Sequence, residues 1–149
     1  MKRILLIATG GTIACKQTAS GLAPQLGAKE LLSYVRDRAE NVESIELFRM
    51  DSSNVQPEEW RAIAQAVADN MHKADGIVIT HGTDTMAYTS SMLSFMLRGI
   101  KIPVVLTGAQ YPMGMEGSDA ARNLGDALTA ARELPAGVYI AFGGRVILG

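Results

Sequence analysis

Apolar residues fall along this chain in two alternating rhythms. Short unbroken apolar runs are followed by longer stretches in which apolar residues recur at helical spacing. Residues 3–8 form the first run, closed by glycines, as a buried parallel strand requires. Residues 29–39 carry Leu31, Leu32 and Val35 on one face of a predicted helix. Residues 42–50 alternate as a second strand does. Pro57, Glu58 and Glu59 then open a helix, because proline suits the first turn and acids there favour the dipole. Its stripe is Trp60, Ile63, Ala64, Val67, Ala68 and Met71. Residues 76–80 are a third strand, 84–98 a Met- and Ser-rich helix and 103–107 a fourth strand. Residues 118–133 are a helix with Ser118 as N-cap and with Ala121, Leu124, Leu128 and Ala131 on one face. Residues 137–142 are a fifth strand, and Gly143-Gly144 turns the chain into 145–148 as a terminal hairpin. The order βαβαβαβαβ predicts a doubly wound α/β domain: a parallel sheet with helices on both faces and a C-terminal β-hairpin.

Composition narrows the classes. The chain has 149 residues, the size of one domain. A chain of that size buries about 70% of its unfolded surface. Apolar residues make up 48% and charged residues 19%, so neither disorder nor charge dominates. The net charge of -1 offers no basic excess for nucleic acid or an anionic membrane. No apolar run approaches the ~20 residues of a membrane span. The run 4–8 has some look of a signal peptide, but Thr9-Gly10-Gly11-Thr12 ends it, and it reads as a first strand. One cysteine, Cys15, excludes an internal disulfide and a multi-cysteine zinc site. A cytoplasmic location is the default.

In doubly wound folds ligands bind beyond the carboxyl ends of the strands. The first strand exits into Thr9-Gly10-Gly11-Thr12, and the second into Asp51-Ser52-Ser53-Asn54. The third exits into His81-Gly82-Thr83-Asp84, and the fourth into Thr107-Gly108-Ala109-Gln110. Glycine lets a backbone approach a ligand and exposes N–H donors. Threonine and serine supply hydroxyls, and Asp51 and Asp84 supply negative charge. Hydroxyls and acids without a basic patch suit a small polar or zwitterionic ligand. Neither GxGxxG nor GxxxxGK[ST] is present, which argues against a phosphate. His81 and Asp84 have no second histidine near them in sequence, which argues against a metal.

Each loop alone has a plainer reading. Thr9-Gly10-Gly11-Thr12 is also an ordinary βα turn. Asp51-Ser52-Ser53-Asn54 also reads as helix-capping chemistry before Pro57. Asp84 also reads as a stabiliser of the following helix N-terminus. His81 reads as a loop hydrogen-bonder rather than a general base. Tyr88, Trp60 and the set Met86, Met92 and Met96 read as core, and Cys15 as inert. The convergence of four such loops on one sheet edge is what favours a site.

Two of the loops lie in longer recognisable stretches. Residues 6–14, Leu-Ile-Ala-Thr-Gly-Gly-Thr-Ile-Ala, resemble the first signature of the bacterial-type L-asparaginases. Residues 76–86, Gly-Ile-Val-Ile-Thr-His-Gly-Thr-Asp-Thr-Met, resemble the second. The stretch from Asp51 through Trp60 and the run 104–110 resemble the same family, closest to its cytoplasmic type I-like branch. The resemblance covers the whole chain. It implies hydrolysis of the side-chain amide of asparagine to aspartate and ammonia, with no metal and no organic cofactor. It implies that Thr12 is the nucleophile that forms an acyl-enzyme. Thr83 and Asp84 would be the second catalytic pair, with Asp84 also holding the substrate's α-amino group. Ser52 would bind the α-carboxylate, with Asp51 and Ser53 beside it and Gly82, Thr83 and Asp84 completing the substrate pocket. Gly11 and Ala109 would offer backbone groups to the oxyanion. A homo-oligomer is implied as well.

This sequence departs from the family pattern at two points. Many members carry a tyrosine in the loop after the first signature, where this chain has Leu22 in Ser20-Gly21-Leu22-Ala23-Pro24. Leucine cannot relay a proton. Family members also have a C-terminal domain and a catalytic lysine, and none of Lys2, Lys16, Lys29, Lys73 or Lys101 matches that lysine. Residues 1–149 are therefore expected to be an N-terminal asparaginase domain without the C-terminal one. A non-catalytic domain that binds asparagine or aspartate, or serves assembly, is the alternative. Ammonia-generating subunits of tRNA-dependent amidotransferases share this kind of domain. They would carry an extra N-terminal region, whereas the first signature here starts at residue 6, so that reading is the least favoured.

Overall fold

The computed structural model describes residues 2–18, 21–50 and 55–149. Eight strands occur among them: β1 (Ile4–Gly10), β2 (Cys15–Thr18), β3 (Gly21–Pro24), β4 (Val42–Met50), β5 (Gly76–Thr80), β6 (Pro103–Thr107), β7 (Gly137–Phe142) and β8 (Arg145–Leu148). Six of them form one sheet in the order β4-β1-β5-β6-β7-β8. All neighbours in it are parallel except β7 and β8, which form the terminal hairpin. Every residue of β1, β5 and β6 is buried, as strands covered on both faces must be. Four helices cover the sheet: α1 (Ala28–Ser33), α2 (Pro57–Asn70), α3 (Met86–Met96) and α4 (Ala120–Glu133).

Alternation along the strands splits the core in two. Leu6, Val78 and Val105 face α1 and α4. Ile7, Ile79 and Leu106 face α2 and α3. The β5–α3–β6 and β6–α4–β7 connections advance in the same direction across the sheet but over opposite faces. The second is therefore opposite in hand to the other three crossovers, in a fold class where crossovers are almost always right-handed. The chain leaving β6 must cross to the α1 side before α4 begins, and residues 108–119 make that passage.

The structure corrects the sequence expectations at several points. The hairpin of β2 and β3 follows β1 and is not expected from the sequence pattern. Its strands are four residues each and carry little periodicity. The helix expected over 29–39 stops at Ser33, and a separate 3-10 turn spans Arg36–Arg38. The N-cap of α4 is Asp119 rather than Ser118. The Ser118 hydroxyl instead accepts from the Ala120 N–H at 3.0 Å. Ala121 is exposed, and Ala120, Leu124, Ala127, Leu128 and Ala131 form the buried stripe. On α2, Ile63, Ala64 and Val67 are buried, Trp60 is half-buried, and Ala68 and Met71 are exposed. On α3, Met86 is core, but Met92 and Met96 are exposed and Tyr88 is 67% exposed. These side chains point away from the sheet, which is met by Met86, Thr89, Ser90 and Leu93.

Candidate active site

Strand order reverses direction between β1 and β5: from β1 the chain first goes to β4 on one side, then to β5 on the other. The crevice of a doubly wound fold opens at such a switch point. Thr12 leaves β1 there, and Gly82, Thr83 and Asp84 leave β5 there.

The two exits touch through glycine. Gly11 has φ 82° and ψ 178°, a region open in practice only to glycine. A Cβ on Gly11 would lie 2.5 Å from the Gly82 nitrogen. Glycine at 11 thus brings the first signature loop against the backbone of the second. Thr12 opens a 3-10 turn, Thr12–Ala14, and is half-buried. Ile13 and Ala14 beneath it are core. The Gly11 carbonyl accepts from the Ala14 N–H at 3.1 Å and from the Cys15 thiol at 3.3 Å, so Cys15 braces the turn that presents Thr12.

Thr83 and Asp84 are exposed on the other wall. Helix α3 starts at Met86 with Thr85 as its N-cap, so Asp84 stands one residue ahead of the cap. Beneath them His81 is 1% exposed. Its Nδ1 lies 2.8 Å from the Gly82 carbonyl and its Nε2 3.0 Å from the Thr89 hydroxyl. Thr89 also accepts from the Trp60 indole N–H at 2.9 Å. The partners fix the tautomer. An indole N–H only donates and a carbonyl only accepts. Thr89 therefore gives its hydrogen to Nε2, and Nδ1–H donates to Gly82. Burial lowers the His81 pKa, and the Gly82 hydrogen bond opposes this without reversing it. His81 is a neutral strut under the Gly82 loop, as the hydrogen-bonding reading expected.

The β6 exit closes the far side. His81 N–H donates to the Thr107 carbonyl at 2.8 Å, and a Cβ on Gly108 would overlap the His81 carbonyl oxygen. Ala109 follows, 1% exposed. The hairpin β2–β3 flanks Thr12 on the other side. Leu22 there is 50% exposed, beside a cavity of about 250 Å³ that Cys15, Lys16 and Tyr34 also line. The remaining expected site residues, Asp51, Ser52 and Ser53, lie outside the described residues, as does Asn54. The Trp60–Thr89 support of His81 is missing from the sequence expectations. The signal was present, since Trp60 and Thr89 both fall on helix faces turned toward His81. Among the described residues no group of three or more His, Cys, Asp or Glu could hold a metal ion. Among the same residues no helix is long and apolar enough to cross a membrane.

Comparison with known proteins gives a consistent picture. The family model described as Asparaginase, N-terminal matches residues 3–149. An L-asparaginase of Thermococcus kodakarensis is 47% identical over 99% of this chain and 46% of its own length. A glutamyl-tRNA(Gln) amidotransferase subunit of Methanococcus vannielii is 36% identical over 98% of this chain and 35% of its own. The solved thermostable L-asparaginase from Thermococcus kodakarensis superposes with a TM-score of 0.91, covering 98% of this chain and 45% of that one. L-asparaginase I from Vibrio cholerae does so with a TM-score of 0.85 at 38% identity, covering 98% and 46%. The chain spans about half the length, or less, of the relatives it matches.

Proposed function

The chain belongs to the asparaginase family, and from that premise we propose that it is an amidohydrolase domain that releases ammonia from the side chain of L-asparagine, with Thr12 as nucleophile. The observation that supports this reading is the contact of Gly11 with Gly82, which joins the loop carrying Thr12 to the loop carrying Thr83 and Asp84. The Thr12 hydroxyl adds to the amide carbon and gives up its proton. The oxyanion of the tetrahedral intermediate takes backbone N–H groups, with Gly11 and Ala109 as the candidate positions. Such a donor supplies about 3–4 kcal/mol in comparable sites. Ammonia leaves with a proton, and an aspartyl ester remains on Thr12. Water then hydrolyses the ester, releasing aspartate and restoring the hydroxyl. Asp84 holds the α-amino group, and Thr83 assists proton transfer. Ser52, with Asp51 and Ser53, receives the α-carboxylate.

A threonine hydroxyl is a weak nucleophile without a base. Lys16 is nearest Thr12 in sequence, but it is exposed and pairs with Glu30 at 3.6 Å. Thr83 and Asp84, the second catalytic pair, are the groups proposed to take up the Thr12 proton. A homo-oligomer and a cytoplasmic location belong to the same proposal. Ammonia release from L-asparagine by this chain and by Thr12→Ala tests it. The expected result is release by the parent and loss of it in the variant, with the fold unchanged by circular dichroism. Equal release from both would overturn the role of Thr12. Binding of L-aspartate with no release from the parent would leave the non-catalytic alternative.

The amidotransferase relatives support a second reading. A domain like theirs would supply ammonia to a partner enzyme instead of serving asparagine breakdown. Glutamine and asparagine differ by one methylene, worth about 1–3 kcal/mol in a pocket. A kcat/KM for L-glutamine above that for L-asparagine would favour this second reading.

A further inference from the structure

Asn123, on the first turns of α4, is fully buried and lies outside every motif discussed so far. Its Nδ2 donates to the Gly108 carbonyl at 2.9 Å and to Asp119 Oδ2 at 3.1 Å. Its Oδ1 accepts from the Gly143 N–H at 3.1 Å. The amide cannot be turned round, because Gly108 offers only an acceptor and Gly143 only a donor. Asp119 in turn accepts from the Gln110 N–H at 3.0 Å and the Tyr111 N–H at 3.2 Å.

These bonds bracket Ala109. The Gly108 carbonyl lies in the same peptide plane as the Ala109 N–H, and the Gln110 N–H in the same plane as the Ala109 carbonyl. Fixing one group of a planar peptide fixes the other. We propose that Asn123, acting with Asp119, is a positioning residue for the amide-hydrolysis site: it sets the direction in which both backbone groups of Ala109 point. This rests on the function proposed above. The need for such a clamp follows from the fold. The chain at 108–119 crosses from the sheet edge to the opposite face in the crossover of reversed hand, with no strand partner to orient it. Anchorage to Gly143 ties the clamp to the β7–β8 turn, so α4, β6 and β7 hold Ala109 together.

Asn123→Asp keeps the shape but removes both donors and sets a second carboxylate against Asp119. The double variant Asp119→Asn with Asn123→Asp restores a donor–acceptor pair between the two side chains and lets the new carboxamide oxygen at position 119 accept from Gln110. It leaves the Gly108 carbonyl without its donor. The expected pattern for Asn123→Asp is a kcat about 30-fold lower with KM little changed, as misplacement near a reacting group costs up to 10²-fold. The Gln110 amide should exchange about tenfold faster, since the new carboxylate repels the Asp119 carboxylate that accepts from it. In the double variant, Tm and Gln110 protection should recover while kcat and the Ala109 amide nitrogen shift remain displaced. Recovery of kcat together with Tm would reduce Asn123 to a structural role. An unchanged Ala109 shift in folded Asn123→Asp would overturn the proposal outright. If the parent chain releases no ammonia, the catalytic reading fails on its own, and the Ala109 and Gln110 signals still decide the clamp.

Discussion

The α-carbon of Gly11 stands against the backbone of Gly82, so close that a methyl group on it would lie 2.5 Å from the Gly82 nitrogen. Both atoms belong to main chain, and neither can step aside as a side-chain tip would. The backbone angles of Gly11 also exclude an L side chain. Gly11→Ala should therefore cost roughly 3 kcal/mol, near the upper end for one strained position, and should abolish ammonia release in whatever fraction stays folded. Chemical denaturation and an ammonia assay on one preparation check it. A variant with parent stability would mean the two loops are not in contact.

Thr89 joins two groups that have no other use for each other. Thr89→Val deletes the hydroxyl and leaves the Trp60 N–H and the His81 Nε2 without their partner. Each buried polar group left unpaired costs about 1–3 kcal/mol, so the variant should lose about 2–3 kcal/mol. Thr89→Ser keeps the hydroxyl and should lose about 1 kcal/mol, for one buried methyl group. Urea midpoints for the pair separate the hydrogen bond from the packing. Equal losses would show that the hydroxyl contributes nothing.

His81 couples the same strut to pH. Its folded pKa is lowered by burial, so between the folded and unfolded values the unfolded chain binds more protons. Stability then rises with pH through that range and falls as pH drops below the ordinary histidine value of about 6.5. Protonation also puts a hydrogen on Nε2, where Thr89 now donates. The expectation is a Tm that decreases from pH 7 to pH 5, with a smaller decrease in His81→Gln. The same slope in both proteins would assign the acid sensitivity to other groups.

β1, β5 and β6 were legible because they are buried on both faces and read as apolar runs closed by Gly or Thr. β4 was legible from its alternation, and β7 and β8 from the Gly143-Gly144 turn between them, although β8 is exposed throughout. Helix faces were less legible. Met92, Met96 and Tyr88 are apolar but exposed, because α3 has apolar residues all round and its sequence does not mark which side meets the sheet. Ser118 and Asp119 are both good caps in sequence. Only the position of the 108–119 passage shows that the Asp119 carboxylate serves Gln110 and Tyr111. The hand of the β6–α4–β7 crossover has no local signal at all. Thr12, Gly82, Thr83 and Asp84 were found as strand exits, whereas Asn123 lies mid-helix and looks like any polar residue there until its partners are seen.

Thr80 closes β5 beside Ala8 of β1 and Thr107 of β6. It is fully buried, and among the described residues its hydroxyl has no hydrogen-bond partner. Its carbonyl is satisfied by the Thr9 hydroxyl at 2.7 Å, and the neighbouring Thr107 hydroxyl is given to the Ala141 carbonyl at 2.6 Å. Both of those hydroxyls thus give their hydrogens to backbone carbonyls and not to the Thr80 hydroxyl. An unpaired buried hydroxyl costs about 1–3 kcal/mol, and valine has nearly the same shape with no such cost. Thr80→Val should therefore raise stability by about 1 kcal/mol, after allowance for local repacking. A domain of this size would show that as a rise in Tm of roughly 3 °C. A lower Tm would show that the hydroxyl is solvated in solution. A raised Tm with lost L-aspartate binding would instead place the hydroxyl in contact with the ligand, one residue below the loop that carries Thr83 and Asp84.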